Sequence, residues 1–195
     1  MSSSAPVVRA SHLKEDLEAL SKLGPTVEAA VRARIAPASL ALVLEAARSD
    51  WLPLAVNVEM AEAVYAEAGA QRVRAWGRES FLVSLTAFFR PLLQAITAIF
   101  HPSPAAICRF SPRAWLALYR NCGSLQIIFE AGAQELRIAL VDFPEPLRRT
   151  PFLTSFAGTF EGVFDHCEYD GKVEMEPAVD GKNPGYVVSW KRRER

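Results

Sequence analysis

RTPFLTSFAGTFEGVFDHC, residues 149–167, carries Phe152, Phe156, Phe160 and Phe164 at a strict spacing of four, with Gly158 and Gly162 four apart between them. In a helix a step of four advances about 400°, so each ring lies about 40° round from the last and the four span about 120°, the width of one core-facing stripe. Gly158 sits about 200° from Phe156, on a different face. A glycine in a helix interior costs about 1 kcal/mol relative to alanine, so this second face is expected to approach a neighbouring backbone closely. Thr150 and Pro151 supply a cap and a first-turn proline. The stretch therefore predicts a helix between a sheet and a helical layer, with its phenylalanines inward. The same rings are candidates for the wall of a cavity that holds an apolar ligand.

Working outward, residues 124–129 and 135–141 are β-branched or otherwise apolar and flank Ala131-Gly132, which predicts a hairpin. After the phenylalanine helix, GKVEMEP (171–177) and GYVVSWK (185–191) alternate as strands around the turn-rich DGKNPG. The order is β-β-α-β-β. Upstream the periodicity is helical. Ser11 is expected to cap a helix through Leu13, Leu17, Leu20 and Leu23, stopped by Gly24-Pro25. Val27, Val31 and Ile35 line a second helix, and Leu40, Val43 and Leu44 a third. DWLPLAVN reads as a connector because of Pro53, Asn57 as a cap, and Gly69 as a left-handed stop. Two apolar helices divided near Arg90-Pro91 fill residues 70–100, and a shorter helix spans about 111–118. The fold class is α+β: a helical half over about 11–122, then β-β-α-β-β over about 123–190, with an antiparallel sheet packed on helices. One domain is expected over 11–190, preceded by a disordered segment over 1–10 and followed by a basic tail over 191–195.

The chain has 195 residues, of which 22 are Lys or Arg and 22 are Asp or Glu, so no net field is present to hold a nucleic acid. Cys108, Cys122 and Cys167 are odd in number and lack CxxC spacing, which predicts free thiols in a reducing, cytoplasmic setting. The N-terminus lacks the basic and apolar regions of a signal peptide. The longest apolar run, 81–100, is broken at Arg90-Pro91, so no integral membrane association is expected.

Dinucleotide, P-loop and hydrolase-elbow motifs are absent, and no acid/base pair stands out, so the chain is expected not to be an enzyme. His166-Cys167 are weak metal candidates, since metal sites usually need three or four ligands and His12 and His101 stand elsewhere. At the junction of the two halves, Tyr119 to Gly123, Arg120 is a candidate anchor for a ligand carboxylate, with Asn121 beside it. Trp76, Phe81, Phe88 and Phe89 exceed what one helix face requires and suggest a homodimer or partner surface.

DWLPLAVNVEMAEAVYAEAG (50–69), the CRFSPRAWLALYRNCG run (108–123), VDFPEPLRRTPFLTSFAGTFEGVF (141–164) and the closing VSW (188–190) resemble an uncharacterised paralogous family known mainly from myxobacteria. More remotely, helices followed by β-β-α-β-β are similar to the superfamily of 4-vinyl-reductase-like ligand-binding domains, haem-NO-binding domains and Bet3-type tethering subunits. The resemblance implies a small-molecule-binding or dimerising regulatory module with an apolar cavity between helices and sheet. Haem is disfavoured and no cofactor is expected, because no Tyr-x-Ser-x-Arg motif occurs and no histidine sits in an obvious proximal helix. The reading is a non-enzymatic cytoplasmic sensory domain with Phe152, Phe156, Phe160, Phe164, Arg120 and Asn121 at its site. The alternative is an adaptor module with a filled core.

Overall fold

The structure, a computed structural model, describes residues 5–87, 103–129, 134–176 and 184–193. The expected break at Arg90-Pro91, the Ala131-Gly132 turn, His101, Phe88 and Phe89 lie outside these residues.

The chain opens with β1 (Val7–Arg9), followed by α1 (Ala10–Leu20), α2 (Pro25–Arg34) and α3 (Pro37–Glu45). A short β2 (Trp51–Pro53) leads into α4 (Leu54–Ala87), broken at Gly69, whose φ of 77° is the left-handed geometry expected there. Next come α5 (Pro104–Leu118), β3 (Tyr119–Arg120), and the hairpin of β4 (Ser124–Phe129) and β5 (Glu135–Val141). The phenylalanine helix is α6 (Thr150–Cys167), and β6 (Tyr169–Glu176) and β7 (Gly185–Arg192) follow. The described chain is thus α+β, with a helical N-terminal half and an antiparallel sheet later, as expected.

Within the segment expected to be disordered, Val7–Arg9 form a strand. It is the middle strand of a three-stranded sheet in the order β2-β1-β3, and Val8 is fully buried. Three residues carry no period to read, and their partners lie about 44 and 111 positions away (Val8↔Leu52, Val8↔Tyr119). The DWLPLAVN connector contains a strand for the same reason. Pro53 is tolerated there because β2 is an edge strand, whose free side needs no donor. Ser11 and Asn57 are not caps: α1 begins at Ala10 with Arg9 before it, and Asn57 lies within α4. Helix α5 starts earlier than the 111–118 pattern suggested, because Ser103 accepts the Ala106 amide at 3.2 Å and Pro104 occupies the first turn.

The second sheet runs β4-β5-β7-β6, so the two hairpins meet at β5 and β7. Leu136, Ile138, Leu140, Val173, Tyr186 and Val188 form its buried face. Helix α6 lies against this sheet and α4 covers α6 from the other side. The glycine face does what its spacing predicted: a methyl group at Gly158 would fall on the Arg74 carbonyl oxygen, and one at Gly77 on that of Ser155. Gly162 faces the Phe81 ring and the Arg78 backbone. The ion pairs Arg74–Glu161 and Arg78–Asp165 flank this contact.

Candidate functional site

The ladder rings are mostly core. Phe152, Phe160 and Phe164 are buried and Phe156 is half-buried. Phe156 lies 5.0 Å from Phe160, 6.0 Å from Phe152 and 5.9 Å from Tyr186, ring centre to ring centre. Trp115 stacks on Tyr119 at 4.0 Å and on Phe143 at 4.7 Å, and meets Phe156 at 5.4 Å. Offset and edge-on aromatic contacts of this kind add to the burial of the rings themselves. Phe164 packs over Gly171 of β6, where any side chain would collide with its ring.

Beside this cluster lies a polar one built from α1 and α4. Asp16 is buried, and it accepts hydrogen bonds from Asn57 Nδ2 at 3.0 Å and from Ser80 Oγ. Trp76 Nε1 donates to the Asp16 backbone oxygen at 2.9 Å. Tyr119 Oη donates to Asn57 Oδ1 at 3.1 Å, which ties β3 into the network. His12, one turn before Asp16, brings Nε2 to 3.7 Å from Asp16 Oδ2, while its Nδ1 is buried with no hydrogen-bond partner among the described residues. Glu15, also buried, is held by Ser84 at 2.7 Å and Arg48 at 2.5 Å.

Polar and aromatic clusters meet across a cavity of about 20 Å³, lined from α1 by His12 and Asp16, from α4 by Asn57 and Ala61, and from α6 by Phe152 and Phe156. That is room for a single water, which buried polar atoms left unsatisfied usually attract.

Burial pushes the Asp16 carboxyl above its ordinary value of 3.8, while attraction to His12 and the hydrogen bonds from Ser80 and Asn57 pull it down by less. Because the folded value is raised, the folded state holds the proton more tightly. The resulting stability is full at acid pH and is lost as pH climbs from 3.8 through the folded value. Melting curves are therefore expected to show Asp16→Asn gaining on the parent chain as pH rises toward neutrality, and a pH-independent difference would contradict this. Burial likewise raises the Tyr119 hydroxyl, so it stays protonated and remains a donor.

The sequence candidates separate in space. Phe152 and Phe156 border the cavity, whereas Phe160 and Phe164 are not among its lining residues. Arg120 is exposed and stacks on Trp51, 3.9 Å from the ring centre, and Asn121 donates to the Ala5 oxygen at 3.2 Å; neither lines the cavity. His166 has a buried, unpartnered Nε2, and burial lowers its pKa. Burial raises the Cys167 thiol to about 12, the opposite of an activated thiolate. Among the described residues no group of three or more His, Cys, Asp or Glu side chains is placed to hold a metal ion. Trp76 is buried rather than presented to a partner, and Phe81 packs against the Gly162 face.

Asp16 and Ser80 went unseen in the sequence, and His12, Asn57 and Tyr119 were read in other roles. A signal was there: Asp16 falls three residues after Leu13 and four before Leu20, inside the leucine stripe of α1, and His12 stands one turn before it.

No protein-family model matches the chain, and no curated protein does. Solved structures do match. An H-NOX protein from K. algicida in its Fe(II) unliganded form superposes with a TM-score of 0.63 at 10% identity, covering 96% of this chain and 98% of that one. An oxygen-binding H-NOX domain related to soluble guanylate cyclases gives 0.62 at 12% identity, with 96% and 98% covered. A structure described for modulation of haem redox potential through protein-induced porphyrin distortion gives 0.60 at 12% identity, with 94% and 99% covered. The chain has the fold of these domains, which supports the remote haem-NO-binding resemblance and leaves the myxobacterial one without a sequence-level match.

These neighbours overturn the expectation of no cofactor with haem disfavoured: the fold is one on which haem proteins are built. That expectation rested on missing motifs, and at 10 to 12% identity a fold outlasts its motifs. At the cavity described above, Trp115 stacks on Phe143 and meets Phe156 at a tilt of 55°, and the space of about 20 Å³ is too small for a porphyrin unless these rings move. Among the described residues no helix is long and apolar enough to cross a membrane.

Proposed function

We propose that this chain is a non-enzymatic sensory domain of the H-NOX fold that takes up an apolar or amphipathic small molecule between α1, α4 and α6. One observation carries the reading: an incompletely satisfied polar cluster, with the His12 Nδ1 atom unpartnered among the described residues, borders two rungs of the aromatic ladder across a cavity. Most buried polar groups are paired, and a site for a guest keeps hydrogen-bonding capacity in reserve beside apolar walls. Phe152 and Phe156 receive the apolar part of the guest, and His12, Asn57 and Tyr119 orient its polar part. Entry of anything larger than water parts Phe156 from the rings around it. The buried free thiols of Cys108, Cys122 and Cys167 suit a reducing cytoplasm.

Haemin is the first ligand to test, because proteins of this fold bind it or are described by its iron. Titration of the full chain is expected to saturate at one equivalent, read as a shifted haem absorbance band and quenched tryptophan fluorescence. Ala61→Val adds two methyl groups at the cavity wall and is expected to weaken uptake by about tenfold, with a modest fall in melting temperature because the site is buried. If haemin, protoporphyrin and a panel of aromatic acids all leave fluorescence and melting unchanged, the reading is wrong.

A further inference from the structure

The three-stranded sheet has an outward face that the cavity does not use. Arg9 pairs with Trp51 across β1 and β2, and Val7 pairs with Arg120 across β1 and β3. Alternation then places Arg9, Trp51 and Arg120 on one face, while Val8, Leu52 and Tyr119 are buried on the other. The Arg9 guanidinium lies 4.4 Å from the centre of the Trp51 ring and that of Arg120 lies 3.9 Å from it. One indole therefore carries two cations. Cation–π attraction holds both in place without cancelling their charge.

Arg9 is fixed further by donating to the carbonyls of Ala117 at 3.0 Å and Ser49 at 3.1 Å. Arg120 is exposed, and among the described residues no carboxylate lies within ion-pair distance of either guanidinium. Asp50, the acid next to Trp51, turns to accept the Ala47 amide at 2.8 Å. Asn121, in left-handed geometry with φ of 57°, holds the Ala5 carbonyl at the end of β3. Among the described residues the result is two guanidinium groups with no paired acid on a rigid sheet, beside an aromatic ring; Arg9 already spends Nε and one Nη on carbonyls. Planar forks of this kind match carboxylates two N–H groups at a time.

We propose that this face docks an acidic segment of a protein partner, with Arg120 as its principal anchor, Arg9 as a second cation and Trp51 as the apolar floor. Nucleic acid is a poorer fit, because its binding draws on a stripe of many phosphate contacts, and this chain has as many acids as bases. The proposal does not depend on what the cavity binds.

Fluorescein-labelled hexaglutamate, titrated with the full chain at low salt and followed by anisotropy, is expected to bind saturably and to weaken as salt rises. Arg120→Gln and Trp51→Leu are each expected to weaken it by about tenfold with the melting temperature of Arg120→Gln unchanged, since that side chain is exposed. Absence of binding by the parent chain overturns the proposal, as does equal binding by Arg120→Gln. Tighter binding of duplex DNA through the same arginines overturns the assignment to protein.

Discussion

Alanine at position 158 is expected to destabilise the protein by about 3 kcal/mol or more, although in an ordinary helix the same change gains about 1 kcal/mol. The sign is what makes the experiment decisive. The new methyl group would occupy the place of the Arg74 carbonyl oxygen and crowd the Arg78 nitrogen at 3.1 Å. Backbone cannot turn away as a side chain can, so α4 and α6 must separate and give up dispersion contacts along their length. Gly77→Ala is expected to act alike through the Ser155 carbonyl. Once one methyl has pushed the helices apart, the second has less to displace, so the double variant loses less than the sum of the two. Urea denaturation of the three variants reads all of this; a stabilised Gly158→Ala would mean that the helices are not in backbone contact.

Trp115→Ala carries the other large expected effect, a loss of about 3–5 kcal/mol. Its ring is buried between Tyr119 and Phe143 and touches Phe156, and its Nε1 donates to the Gly123 oxygen at 3.1 Å. Trp115→Phe separates the two contributions. The smaller ring keeps the stack but leaves the Gly123 carbonyl without its donor, for which about 1 kcal/mol is the ordinary cost beyond the lost volume. Chemical denaturation of both variants gives the split, and equal losses would mean that packing in this cluster matters little beside the hydrogen bond.

Particular residues explain what could be read in advance. Four phenylalanines and two glycines at a spacing of four state a helix with two working faces, because helical geometry turns spacing directly into direction. The strands of the larger sheet were equally plain, since alternation survives in Leu136, Ile138 and Leu140, all buried. The small sheet was hidden because its strands are two or three residues long and pair only across distance. Asp16 was hidden differently. An acid between leucines reads as solvated until Asn57 and Ser80 arrive from α4 to receive it, with Tyr119 of β3 holding Asn57 in turn. Arg120 was read as an anchor for a ligand carboxylate, and its place on the outer face of the small sheet, away from the cavity, depends on pairing with Val7, which no local pattern announces.

The middle position of β1 also sets a schedule for synthesis. Val7–Arg9 are synthesised before both of their partner strands, which must exist before they are enclosed, and the later of these ends at Arg120. At about 5–20 residues per second the nascent chain carries Val8 unsheltered for on the order of ten seconds. During that interval an apolar, unpaired strand is open to chaperones and to neighbouring chains. Closure of the small sheet is therefore a late event, and slowing translation between codons 53 and 119 is a direct way to lengthen the wait.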